Sequence, residues 1–146
     1  MADDSIDTRP PTALPATLAA AVPRLAESLA LLDDAHHLVI SVKGSKRYVQ
    51  FAAFGPNLRG ESVGNTYLRG PAQLGVGDLL WLADHGWHDP DEGGNHWRHW
   101  EPADHLAAAT VALVTLHAGH GVDHVGQLVF QSEDPRVIDA LAGGRA

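Results

Sequence analysis

Residues 47–68 read RYVQFAAFGPNLRGESVGNTYL, and this stretch says most about how the chain folds. From Arg47 to Phe54, Val49 and Phe51 alternate with polar or smaller side chains, which is typical of a half-buried strand. The sequence FGPN at 54–57 then supplies a turn, and a second alternating run extends from Leu58 to Leu68. The pattern predicts two antiparallel strands joined by that turn.

The second of these strands has two unlike faces. Its alternation places Gly60, Ser62 and Gly64 on one side, and three small residues on one face indicate that another part of the molecule packs closely over it. The other side carries larger and mostly polar residues: Arg59, Glu61, Val63, Asn65 and Tyr67.

The segments that precede this stretch predict one helix and one more strand. Residues 14–32 repeat leucine or valine at spacings of three and four, which predicts an amphipathic helix that is kinked or restarted at Pro23 and ends near Asp33-Asp34. Residues 38–42 alternate as a strand, and the turn KGSK at 43–46 connects it to the next strand.

The segments after this stretch predict a short helix over 76–83 with Gly86 as its left-handed cap, and a strand over 95–100. A further helix is opened by Glu101-Pro102 and ended by Gly119 or Gly121. The tail, 127–142, offers a short strand and a last helical turn. We expect an α+β fold in which a helix is followed by an antiparallel β-meander, packed by further helices.

Composition limits the functional classes. The chain has 146 residues, a net charge of −8 and no cysteine. The charge speaks against a duplex DNA or an anionic membrane surface as partner, and the absence of cysteine excludes disulfide scaffolds, thiol nucleophiles and cysteine-ligated metal sites. Because no apolar run is long enough for a membrane span and the N-terminus does not read as a signal peptide, we expect a cytoplasmic protein.

The expected organisation is a disordered arm over 1–12, one domain over 13–142 and a flexible tail over 143–146.

The combined motifs resemble a known family. Five of them occur in order: YVQF at 48–51, L-R-x-E at 58–61, N-x-Y-L at 65–68, GW at 86–87 followed by Pro90, and N-x-W at 95–97. Together they resemble the TY-Chap domain family, whose members are related to YbjN proteins and to type III secretion chaperones. The resemblance implies a chaperone-like α+β fold that binds segments of other proteins, often as a homodimer, without catalysis or a cofactor.

Aromatic and polar residues on the predicted strands are the candidates for contact with a client or partner protein. Four tryptophans lie within twenty residues, and Trp97 and Trp100 fall on opposite faces of one strand, so we expect one to enter the core and the other to be covered by a partner subunit, the tail or a bound segment. The predicted partner-binding set is Tyr48, Gln50, Glu61, Asn65, Trp97 and Trp100.

Histidines provide the alternative hypothesis. Residues 85–99 read H-x₂-H-x₇-H-x₂-H, and imidazole and carboxylate ligands hold metal ions without cysteine. His85, His88, His96 and His99 would form that site, in a metal-binding protein or a metal-dependent enzyme. Against this hypothesis, His96 and His99 fall on opposite faces of a strand. We therefore expect the protein to bind no metal ion.

Two further alternatives stay open. Lys43, Lys46, Arg47, Arg59 and Arg69 gather around the strand turns, where they either steer an acidic peptide or are simply solvated. A regulatory or immunity partner of a toxin or effector is also compatible with this sequence. Hydrolase and phosphate-loop motifs are absent from it.

Overall fold

The computed structural model describes residues 13–142, in which an antiparallel sheet is packed by helices. The predicted arm, 1–12, and tail, 143–146, lie outside the described residues. The helices are α1 (Ala16–Ala30), α2 (Val76–Asp84), α3 (His105–Val114) and α4 (Pro135–Leu141). The strands are β1 (His37–Val42), β2 (Tyr48–Phe54), β3 (Asn57–Ser62), β4 (His96–Trp100) and β5 (Leu128–Ser132).

The five strands lie in the order β4-β3-β2-β1-β5, and every neighbouring pair is antiparallel. The predicted meander β1–β2–β3 therefore forms the centre of the sheet. The tail strand β5 returns to pair with β1, and β4 pairs with β3 on the other side. The predicted α+β fold class is confirmed.

One face of the sheet carries the core. Leu38, Ile40, Val49, Phe51 and Leu58 are at most 1% exposed. Leucines of α1 and alanines of α3 are buried with them, and α1 also packs along α4. The turn of helix at Thr115–Gly119 extends α3 with π-helical geometry and packs near α2.

The small residues of β3 have the predicted role. A side chain at Gly60 would meet the Trp100 ring at 3.0 Å and the Phe51 ring at 3.1 Å. Ser62, also on the buried face, lies with its Oγ 2.8 Å from Nε2 of His120. Gly60 and Ser62 are thus small because aromatic rings lie directly against the strand.

Two element boundaries differ from the sequence prediction. β3 ends at Ser62, and residues 65–67 form a 3₁₀ turn instead of continuing the strand. α3 begins at His105 instead of Glu101, because the Asp104 carboxylate accepts a hydrogen bond from the Ala107 amide at 3.0 Å and the Ala103 amide is bonded to the Pro56 carbonyl. α1 runs as one helix through Pro23.

None of the described helices is both long and apolar enough to cross a membrane.

Candidate functional site

The second face of the sheet, here called the open face, is half-buried or exposed. Strand register places side chains of all five strands on it, as in Gln50 opposite Glu61 and Glu61 opposite Trp97. The open face comprises His37, Val39, Ser41, Tyr48, Gln50, Ala52, Phe54, Arg59, Glu61, Trp97, His99, Val129 and Gln131.

Glu61 is the centre of a hydrogen-bond network on this face. Its Oε1 accepts bonds from Gln50 Nε2 at 2.8 Å and Asn95 Nδ2 at 3.0 Å, and its Oε2 accepts one from Arg59 Nε at 2.8 Å. Asn95 Nδ2 also lies 3.1 Å from the Tyr48 hydroxyl, and Asn95 Oδ1 accepts the Gly64 amide. The network fixes five side chains from two strands and one loop.

The same contacts set the charge of the network. Burial alone raises the pKa of Glu61, but the hydrogen bonds from Asn95, Arg59 and Gln50, with the positive charge of Arg59, outweigh burial and hold that pKa below its usual value. Burial raises the pKa of Tyr48 despite its hydrogen bond with Asn95. At neutral pH the network therefore contains an ionised carboxylate beside a neutral phenol.

Arg59 joins this network to the aromatic residues of β4. Its guanidinium carbon lies 5.0 Å from the centre of the Trp97 ring, and its Nη1 donates to Nε2 of His99 at 3.1 Å. Its Nη2 also reaches the Asp91 carboxylate at 3.3 Å. Arg59 thus contacts both open-face residues of β4 and the loop that precedes this strand.

Two shallow depressions cross the open face. The first, of about 100 Å³, has Ala52 in its lining, between His37 and Arg59 in the strand register. The second, of about 280 Å³, lies over Val39 and Gln131 and shares His37 with the first. His37 is anchored by Glu133, whose carboxylate accepts the His37 amide at 2.7 Å and lies 3.0 Å from its Nδ1. Those bonds lower the pKa of Glu133 to about 2.

The structure brings four of the six predicted partner-binding residues together, namely Tyr48, Gln50, Glu61 and Trp97. Trp100 lies instead in the core, 9% exposed, with its ring centre 6.0 Å from that of Phe51. Asn65 lies in the 3₁₀ turn, where its amide bonds to both the Leu74 carbonyl and the Leu74 amide. The burial of Trp100 in the core argues against its exposure to a partner, whereas the part of Asn65 in partner binding stays a prediction.

The four histidines of the alternative hypothesis point to different places. His85 stacks on Trp81 with a distance of 4.0 Å between ring centres, and His88 lies against Trp97. His96 is buried on the face of β4 opposite the open face. His99 meets Arg59 on the open face. Over residues 13–142, these histidines form no group with metal-binding geometry.

Arg59, Asn95 and His99 belong to the site although the predicted partner-binding set omits them. Alternation could have found all three, since it puts Arg59 on the face of Glu61, and the predicted strand over 95–100 puts Asn95 and His99 on the face of Trp97. The hydrogen bonds of Asn95 with Tyr48 and Glu61 were not predictable, because they depend on how the chain before β4 folds.

Comparisons with known proteins match this architecture. The family model TY-Chap3, described as T3SS (YopN, CesT) and YbjN peptide-binding chaperone 3, matches residues 20–134. No curated protein and no solved structure matches the chain.

Proposed function

Because the chain belongs to the TY-Chap3 family of peptide-binding chaperones, we propose that its open face binds a segment of a partner polypeptide, without catalysis. The observation that supports this most is the prearranged network around Glu61. A charged and aromatic surface that is already fixed by its own hydrogen bonds loses little side-chain entropy when a partner covers it. Arginine, tyrosine and tryptophan are also the residue types that dominate binding energy in interfaces.

The proposed mechanism combines burial with polar recognition. The two depressions over Ala52 and Val39 accept apolar side chains of the client, and Trp97 contacts the client on the β4 side. The ionised Glu61 lines the first depression and, with the neutral Tyr48 hydroxyl, orients the polar groups of the client. When a partner covers the network, it removes water from these polar groups, and a group left without a hydrogen-bond partner is costly. A partner that supplies hydrogen-bond donors is therefore favoured.

Strand addition at an edge of the sheet adds backbone hydrogen bonds to this contact. Trp97 of β4 already exchanges two backbone hydrogen bonds with His88, at 2.8 and 3.3 Å. β5, at the opposite edge, pairs with β1 on one side. We therefore place strand addition at β5, next to the depression over Val39.

The proposal includes a cytoplasmic homodimer. Val76 and Leu79 of α2 are 71% and 37% exposed, and Leu106 of α3 is 59% exposed. A second copy of the chain would cover such apolar side chains and leave the open face available for the client. Sedimentation equilibrium of the wild type and of Val76→Asp tests this: we expect a dimer that the substitution dissociates, and a wild-type monomer contradicts it.

A peptide-display selection tests the binding site. Peptides enriched on the wild-type protein are measured by fluorescence anisotropy against Ala52→Arg, which fills the first depression, and against Ala30→Arg, the same change at an exposed position of α1. We expect Ala52→Arg to weaken binding by about tenfold or more, equivalent to roughly 1.4 kcal/mol, and Ala30→Arg to leave it unchanged.

Equal binding by Ala52→Arg and the wild type, with both proteins folded by circular dichroism, would remove the open face as the site. Failure to enrich any peptide would contradict peptide binding itself.

A further inference from the structure

A second group of polar side chains lies where the α1–β1 loop meets the start of α4. Asp33 and His36 come from the loop and Asp134 comes from the turn after β5. One ligand atom from each residue, two carboxylate oxygens and one imidazole nitrogen, lies within 4.8 Å of the other two. The group forms only when the chain is folded, because its members come from opposite ends of the described sequence.

The Nδ1 atom of His36 faces the carboxylate of Asp134. It is buried and has no hydrogen-bond partner among the described residues, although buried polar atoms are nearly always paired. Its neighbour is Asp134 Oδ2 at 3.8 Å, too far for a hydrogen bond. An ion that makes bonds of about 2.0–2.2 Å to nitrogen and oxygen fits a gap of this size.

Asp134 is a rigid and anionic member of the group. Its side chain is 7% exposed, and its Oδ1 accepts the Arg136 amide at 2.9 Å as the N-cap of α4. The Arg136 hydrogen bonds hold the pKa of Asp134 below its usual value. Asp33, in contrast, is 69% exposed and free to turn its carboxylate toward an ion.

Arg136 currently neutralises the two carboxylates. Its Nη2 lies 2.7 Å from Asp134 Oδ2 and 3.5 Å from Asp33 Oδ2. The Arg136 side chain is 60% exposed, so its guanidinium can move into solvent, but it also bonds both oxygens of the buried Asp134 carboxylate. A divalent ion must therefore replace these contacts in order to bind.

We propose that Asp33, His36 and Asp134 bind one divalent transition-metal ion, such as Zn²⁺ or Co²⁺, in competition with Arg136. One imidazole with two carboxylates suits these ions, whereas Ca²⁺ and Mg²⁺ prefer oxygen ligands alone. Such an ion would join α4 to the start of β1. None of the three residues belongs to the open-face network around Glu61, although their sequence neighbours His37 and Glu133 line the second depression.

The test uses untagged full-length protein, stripped with a chelator and titrated with ZnCl₂ and CoCl₂ by calorimetry, with native mass spectrometry for stoichiometry. We expect one ion per chain. Loss of the imidazole in His36→Gln lowers the affinity by at least about tenfold, since even outer-shell changes have effects of that size. Removal of the competing cation in Arg136→Ala raises the affinity.

His124→Gln is the matched control, because His124 is an exposed histidine in the turn before β5 and does not belong to the group. It leaves metal binding unchanged. Asp33→Asn, at an exposed position, keeps the test valid if His36→Gln does not fold, and it lowers the affinity. The absence of a bound ion, or binding that neither His36→Gln nor Asp33→Asn weakens, would overturn the site.

Discussion

At the scale of single residues, β3 and β4 show what alternation predicts and what it leaves open. Period-two alternation correctly separates the two tryptophans of β4, because Trp97 and Trp100 are an odd number of residues apart. It does not say which of the two faces the helices, and the structure places Trp100 in the core. The small residues of β3 carried that information, since Trp100 packs where Gly60 leaves room.

Gly60→Ala is expected to destabilise the domain by about 1–3 kcal/mol, because the added methyl group presses on the Trp100 and Phe51 rings. Gly119→Ala is the matched control: its added carbon would meet neighbours only at 3.7 Å or more, which is ordinary contact. Urea denaturation of both variants measures the difference. Equal stability of Gly60→Ala and the wild type would show that the rings are not packed against β3.

His96 gives the domain a pH dependence. Burial lowers its pKa from 6.5, so the unfolded chain takes up a proton at higher pH than the folded chain does. The free energy of unfolding should therefore fall as the pH drops below 6.5 and level off below the folded-state pKa.

Urea denaturation at about pH 7.5 and about pH 5.5 measures this loss, because these values bracket the ordinary histidine pKa. His96→Gln, whose side chain does not titrate, should show a smaller difference between the two conditions. An unchanged difference would mean that His96 is not responsible.

At the scale of elements, sequence patterns located strands and helices better than their ends. β1, β2, α2 and β5 lie where periodicity predicts them, and Gly86 has the left-handed backbone of a helix cap, with φ of 92°. The start of α3 was wrong because proline in a first turn was preferred over aspartate as an N-cap. The Asp104 cap and the contact of Ala103 with Pro56 outweigh the proline signal.

Asp104→Ala tests the observed start of α3. Loss of the carboxylate leaves the Ala107 amide without its partner, so we expect a loss of about 1 kcal/mol in the free energy of unfolding. Asp104→Asn retains an accepting oxygen and should cost much less. Thermal unfolding compares them, and equal losses in the two variants would be inconsistent with capping.

At the scale of the whole molecule, topology decides what sequence patterns leave undetermined. The meander was predictable because its strands are neighbours along the chain. The placement of β5 beside β1 was not, since it depends on the packing of α4 against α1, where Ser28 Oγ donates to the Val137 carbonyl at 2.7 Å. The open-face network could not be predicted from sequence for the same reason, because Asn95 reaches Glu61 only after the loop has folded.

This arrangement predicts the behaviour of two fragments. Residues 13–142 should fold with nearly the stability of the full chain, which is the test of the proposed domain boundaries. Residues 13–127 lack β5 and α4, leave β1 as an unpaired edge and expose the side of α1 that α4 covers, so this fragment should be unfolded or aggregated. Circular dichroism and size-exclusion chromatography measure both outcomes. A folded, monomeric 13–127 fragment would show that β5 and α4 are not needed to complete the fold.

The central claim is that the open face binds a polypeptide segment, and amide NMR of the ¹⁵N-labelled protein titrated with a selected peptide tests it most directly. The account predicts chemical-shift changes at the Tyr48 and Gln50 amides and at the Trp97 indole, with Ala30 and Thr110 on the helices unaffected. Changes centred on α2 or α3, with the Trp97 indole unmoved, would contradict it.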